Sequence, residues 1–327
     1  MKPVRTDANT SSPLYLGLHL QASFIQAGLG DGFQLLLADL GQPLEHGDNA
    51  QDILPALCSI WESAQMIAGD LASRIHAVGL AAPAAVHPAQ GHLTLTTENN
   101  PMWEGLAVAE WLQKELGAPV IVASETIATA VAELKIGAAR GAHDALIIKI
   151  DTAVKAAYWR NGEFVRGANG FFGNIGHIAT GNSDLPCSCG HLGCLEASVA
   201  TDAILDRFFV AMEEAELELD DEEMPESVED VFKLSQQNHA VARAVLDDVA
   251  FDLGAGLASV INIINPAKIV IAGDPVYRHA EFFEQMMQDV TRRILPGCAS
   301  GLQLTRATVN ENSECLGAMM LAHERFA

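Results

Sequence analysis

The chain has 327 residues, a formal net charge of −23 and a hydrophobic content of 49%, which is length for two domains and apolar material for two cores. No stretch approaches the ~18 apolar residues of a membrane span, and the polar start MKPVRTDANTSSP lacks a signal-peptide core, so a cytoplasmic protein is expected. The charge argues against direct nucleic-acid binding, which needs a basic face to neutralise phosphate, and no basic stripe is present.

Residues 1–13 read as a flexible tail. PLYLGLHLQ, SFIQAGLGDG and FQLLLADLG then read as three strands with short turns, followed by the apolar helix DILPALCSIWESAQMIAGDLA. A helix on TIATAVAELKIG precedes a second set of strands, DALIIKIDTA, VKAAYWRNGE and EFVRGAN. Two copies of a strand-strand-strand-helix unit imply a duplicated α/β protein with a cleft between halves, where small ligands usually bind. Residues 213–230 hold eleven acidic residues and no Lys, Arg or His, leaving −12 of the −23 to the rest of the chain. That run reads as a solvated loop or helix edge, or as a docking site for a basic partner. Beyond it, HAVARAVLDDVAFDLGAGLASVINII is a helix that stops at Asn265 and Pro266, AKIVIAG is a buried strand, YRHAEFFEQMMQDVTRRIL is an amphipathic helix and LQLTRATV is a strand. NSECLGAMMLAHERF closes the chain as a helix with Asn312 or Ser313 at its N-cap.

The strongest chemical signal lies between His177 and Glu196, in GHIATGNSDLPCSCGHLGCLE. Cys187, Cys189 and Cys194 fall within eight residues, and with His177 they make a Cys3His set of the kind that closes a structural zinc site. Gly190 and Gly193 supply the tight turns needed for three cysteines to face one ion. The alternative is a group of free, buried cysteines beside an unrelated histidine. The other three cysteines, Cys58, Cys298 and Cys315, are scattered singly, which is no disulfide framework.

GANGFFGNIGHI followed by C-x-C-G-x-x-G-C-L-E resembles the signature of the ROK family of sugar kinases and sugar-responsive repressors. LAAPAAVHPAQG, ENNPMWEG, PVIVASETIATAVAE and INPAKIVIAG resemble further family segments in the family's order, so the resemblance runs from about residue 14 to the C-terminus. It implies a two-lobed, actin-like (ribonuclease H-like) ATPase-type fold, with a smaller lobe of 14–118 plus 310–327 and a larger lobe of 119–309 that carries the zinc loop 177–196. A homodimer is expected on the same grounds.

Several positions depart from the kinase pattern. The family's D-x-G-G-T falls on His19, Leu20, Gln21, Ala22 and Ser23, and its second phosphate loop falls on Asp151, Thr152, Ala153, Val154, Lys155, Ala156 and Ala157, without one glycine. Glycines let backbone N–H groups approach phosphate, so both cradles are compromised. Asp274 follows Gly273 where anionic nucleotide would lie, and Lys155 reads as a surface lysine or a phosphate contact. The family's sugar-binding Asn and general-base Asp fall on Ser124 and Glu125. The longer Glu125 displaces its carboxylate by about 1 Å, a shift that costs about a hundredfold in rate.

The resemblance assigns sugar contacts to Ser124, Glu125, Asn174, His177 and Glu196, with His177 also a zinc ligand. Asn174 stands where most members carry Glu and reads equally as a loop cap; Trp103 reads as a sugar-stacking ring or as core. The repressor branch carries about eighty residues of winged helix-turn-helix before the first strand, where this chain has thirteen. The expectation is a non-catalytic, zinc-containing regulator that binds a sugar, a sugar phosphate or a regulatory protein. The alternatives are an ATP-dependent hexose or amino-sugar kinase and a protein-interaction module.

Overall fold

A computed structural model describes the chain from Ser12 to Ala327, apart from residue 39 and segments 45–49, 88–89, 97–102, 181–183, 218–223, 275–278 and 310–311. The expected tail therefore lies almost wholly outside the described residues, as do the middle of the acidic run and most of ENNPMW. The elements, in chain order, are β1 (Leu14–Leu20), β2 (Phe24–Gly30), β3 (Leu35–Leu37), β4 (Gln42–Pro43), α1 (Ala50–Ala68), β5 (Ile75–Ala82), β6 (Ala84–Val86), β7 (Leu93–Thr96), α2 (Val108–Leu116), β8 (Val120–Ser124) and α3 (Glu125–Lys135). They continue as β9 (Asp144–Ile150), β10 (Val154–Arg160), β11 (Glu163–Val165), α4 (Leu195–Val199), α5 (Thr201–Glu214), α6 (Val228–Gln236), α7 (Ala240–Ile264), β12 (Lys268–Gly273), α8 (Ala280–Arg293), α9 (Pro296–Ala299), β13 (Gln303–Arg306) and α10 (Ser313–Phe326).

Two sheets repeat one plan. The first runs β3-β2-β1-β5-β8 with β4 beside β2, and the second runs β11-β10-β9-β12-β13. In each, the first three strands of the path are antiparallel and the last three parallel, so the expected duplication extends to two further parallel strands per copy. Parallel neighbours need a crossover, and α1 supplies it between β1 and β5 as α8 does between β12 and β13.

The chain divides into two compact units, one of Met1–Gly141, Arg166–Phe171 and Thr308–Ala327, the other of Ala142–Val165 and Phe172–Ala307. The boundary differs from the one expected at 118/119, because β8 completes the first sheet by pairing with β5 in the register Val78–Val120 to Ala82–Ser124, and α3 follows it. Within the first unit, Leu14, Leu16, Leu18 and Leu20 point into one core with Ile53, Leu57 and Trp103. Tyr15 on the alternate face packs with Ala77, Met319 and Ala322, as the period of a strand buried on both faces requires. That second face is closed by α10, whose backbone comes so near that a methyl group on Gly79 would lie 1.8 Å from the Ala318 carbonyl oxygen. Trp103 is fully buried, so its ring is core. The second unit is centred on Leu146, Ile148, Val154, Phe208, Leu253 and Ile271.

The stop at Asn265 is a left-handed residue, φ 49°, whose N–H caps α7 on the Ile261 carbonyl. Asn312 takes the N-cap position of α10 but makes no capping bond; its side-chain oxygen instead accepts from the Gln26 amide. Among the described residues no helix is long and apolar enough to cross a membrane.

Candidate functional site

In the second unit, a 3-10 turn, Ile175–His177, precedes a loop that folds back on itself. Isolated bridges join Ala179 to Cys194 and Pro186 to Leu192, and the Cys187 N–H donates to the His191 carbonyl at 2.9 Å while the Gly193 N–H donates to that of Leu185 at 2.8 Å. Gly190 and Gly193 turn the chain at φ 83° and 72°, left-handed values that a side chain resists. The result brings one donor atom each from His177, Cys187, Cys189 and Cys194 within 4.8 Å of one another. Around a tetrahedral zinc, with sulfur at about 2.3 Å and nitrogen at about 2.0 Å, neighbouring donors lie roughly 3.5–3.8 Å apart. Cys189 Sγ lies 3.6 Å from Cys194 Sγ, and Cys187 Sγ lies 3.7 Å from His177 Nδ1, so these two pairs match that spacing, and three thiols with an imidazole are donors that suit the ion.

Burial pushes the Cys194 thiol up to about 12, helped by Cys189 and Cys187, and burial also raises that of Cys187. Burial opposes the Cys189 thiolate too, but hydrogen bonds from the His191 backbone and ring, with those of the neighbouring thiols, outweigh it and bring Cys189 down to about 6. His191, its Nδ1 3.5 Å from Cys189 Sγ, was not singled out by sequence reasoning. The signal available was its place two residues after a ligand.

Immediately after Cys194, the first turn of α4 carries Glu196, which is buried. Its Oε2 accepts from the Val154 N–H at 2.8 Å, and Ser188 Oγ lies 3.5 Å from its Oε1. Asn174 takes the position before the 3-10 turn without a side-chain capping bond to it. Val154 belongs to the segment matched with the second phosphate loop, and that segment is a closed hairpin turn. Asp151 Oδ1 accepts from the Ala153 N–H at 3.1 Å, the Asp151 carboxylate also pairs with Lys149, and Val154, Ala156 and Ala157 are buried.

The remaining site residues, Ser124 and Glu125, lie in the first unit at the start of α3. Ser124 has extended backbone, and its Oγ accepts from the Ile127 N–H at 3.4 Å, so it is the helix N-cap. Ser124→Ala is therefore expected to lower stability by about 0.5–1 kcal/mol, read as a small drop in denaturation midpoint; an unchanged midpoint would remove the cap from the account. Glu125 Oε2 lies 3.4 Å from His19 Nε2 on β1, and Gln21 Nε2 lies 3.2 Å from His19 Nδ1. Sequence reasoning treated His19 only as the loss of an aspartate and did not bring it to Glu125.

A family model described as "ROK family" matches residues 45–325. The chain is 30% identical over 258 residues to a glucokinase of Halalkalibacterium halodurans, covering 76% of each protein. It is 26% identical over 298 residues to a putative xylose repressor of Caldicellulosiruptor sp., covering 89% of this chain and 73% of the repressor. Among solved structures, a ROK hexokinase from Thermus thermophilus superposes with a TM-score of 0.76 at 25% identity, over 95% of this chain and 98% of the hexokinase.

Proposed function

The chain belongs to the ROK family and has the actin-like ATPase fold of its sugar kinases, and from that premise we propose that it binds a sugar without phosphorylating it and acts in the control of carbohydrate metabolism. Relatives of both kinds, a kinase and a repressor, match it, so membership alone does not choose between transfer and sensing. The observation that favours sensing is the segment 151–157. Phosphoryl transfer is mostly positioning and charge stabilisation, and backbone N–H groups do that work only where the chain is bare enough to meet phosphate. Here the turn is closed by Asp151 on the Ala153 N–H, the Val154 N–H is given to Glu196, and a carboxylate stands at the turn.

Zinc, held by His177, Cys187, Cys189 and Cys194, supplies a four-donor closure with no open position, so its contribution is structural. In this reading Glu196 receives a sugar hydroxyl through a carboxylate that Val154 holds in place, with Asn174 and His177 as further sugar contacts of the second unit, and Ser124 and Glu125 are sugar contacts of the first. A regulatory protein as partner, assembly as a homodimer and a cytoplasmic location belong to the same proposal.

An ADP-release assay with ATP and a panel of hexoses, N-acetyl amino sugars and xylose is expected to show no turnover above the sugar-free control. Robust turnover with any of them would sink the proposal. The second reading, an ATP-dependent sugar kinase, rests on the 30% identity to a glucokinase, and a rise in thermal midpoint with ATP would be its first sign.

A further inference from the structure

Glu125 faces His19 on β1, and His19 in turn faces Gln21 in the turn after that strand. The order β1-β5-β8 places one strand between His19 and Glu125, and at this level β5 carries only Ala81 and Ala82, which pair with His19 and Ser124 respectively. Small residues there let the His19 ring reach across to Glu125. The bridge lies at the carboxyl ends of three parallel strands, the position where open α/β sheets bind ligands. Both side chains are largely enclosed, at 7% and 14% exposure, so a contact made there is shielded from water.

With the Gln21 amide turned so that its nitrogen faces the ring, one tautomer of His19 fits. Gln21 Nε2 only donates, so the His19 Nδ1 that faces it at 3.2 Å accepts. The ring proton then sits on Nε2, which points at Glu125 Oε2 3.4 Å away. That is a long and hence weak direct bond beside the usual length of about 2.9 Å, one that a ligand oxygen can take over. An oxygen about 2.8 Å from both atoms completes a triangle over it. The atom that fits is a hydroxyl, because it must accept from an imidazole N–H and donate to a carboxylate at once. A phosphate oxygen has no proton to give and would meet the carboxylate as a like charge.

We propose that His19 and Glu125, with Gln21 fixing the ring, form a donor–acceptor clamp for one hydroxyl of a neutral sugar. His19 is the specificity-determining member. The clamp deepens the sugar-binding reading above and rests on it. It also bears on chemistry: with the Nδ1 lone pair engaged by Gln21 and Nε2 carrying a proton, the ring has no site to take a proton from the hydroxyl, so His19 orients it and the carboxylate of Glu125 is the member of the pair that accepts from it.

Two measurements test the clamp. In the free protein, ring nitrogen NMR of the histidines, assigned with His19→Gln, is expected to show His19 protonated on Nε2 alone and altered by Gln21→Ala; a ring protonated on Nδ1 overturns the proposal. Calorimetric titration of D-glucose, N-acetyl-D-glucosamine and D-xylose is expected to give binding to at least one. His19→Ala should weaken that binding about tenfold or more, while His19→Gln, which retains an N–H donor, recovers much of it. One monodeoxy derivative of the bound sugar should lose about tenfold on the native chain and nothing further on His19→Ala. Unchanged affinity in folded His19→Ala overturns the clamp and leaves sugar binding standing. Absence of binding by all three sugars to the native chain overturns the sugar reading itself.

Discussion

Glu133→Ala is expected to destabilise the first unit by about 3–5 kcal/mol, the scale for stripping a buried charged group from its partners. Glu133 lies on α3 with no exposed surface. Its Oε2 accepts from the Ala138 N–H at 2.6 Å, and its Oε1 accepts from the Thr308 and Val309 N–H groups at 3.0 and 2.7 Å. One carboxylate thus ties the end of α3, the turn after it and the segment that leads to α10. Alanine would leave those donors, on the half-buried Ala138 and Val309 and the exposed Thr308, without the carboxylate, each at up to about 1–3 kcal/mol where water does not replace it. The thermal midpoint should fall by roughly 6–20 °C, measured by circular dichroism. Glu133→Gln should recover part of the loss, because its carbonyl oxygen serves one side while its amide meets donors on the other. A midpoint within 2 °C or so of the native one would mean that the segment at 308–309 is held by other contacts.

Glu133 also marks where the sequence stops being legible. Its partners at 308 and 309 are 175 and 176 residues away and are backbone groups, which have no letter in the sequence; in TIATAVAELKIG it reads as one more helix former. The strands read well because alternation and turns are local: LYLGLHL and KIVIAG are strands as expected. The unit boundary did not, since the choice of β5 as the neighbour of β8 is a long-range pairing that local pattern cannot report. The same asymmetry governs the site. The four residues that could hold a metal ion are within eighteen residues of one another, from 177 to 194, and their turns are written as glycines, so their clustering could be read directly. His19 and Glu125 are 106 residues apart, and their meeting depends on strand order and on two alanines between them. Ser124 shows a third case, in which a residue matched to a ligand-binding position has a local task, the cap of α3, legible from its place before a helix.

Purified protein is expected to carry about one zinc per chain, and Cys194→Ser to lose it, with affinity falling more than about a hundredfold. Cys194 is the donor to choose because it is buried at 3% exposure and sits directly before α4. The Leu195 N–H donates to the Ile178 carbonyl at 2.9 Å, so the residue after the ligand links the two ends of the loop, and Glu196 follows at once. Freed of metal, the loop keeps its short backbone bonds but loses its common centre. The expected signature is local: hydrogen exchange should quicken at Cys187, Gly193 and Leu195, and at the Val154 amide, whose bond to Glu196 is 2.8 Å. The core around Leu253 and Ile271, to which the loop region contributes Ile175 and Leu195 among many members, should keep most of its protection. Because zinc displaces protons from Cys187 and Cys194, both held above the ordinary thiol value, apparent affinity should fall as pH is lowered. Metal analysis by mass spectrometry and exchange on the chelated protein decide the matter together. Zinc absent from the native chain, or exchange at Val154 indifferent to chelation, would detach Glu196 from the metal loop and leave the cysteines as a reduced cluster beside an independent carboxylate.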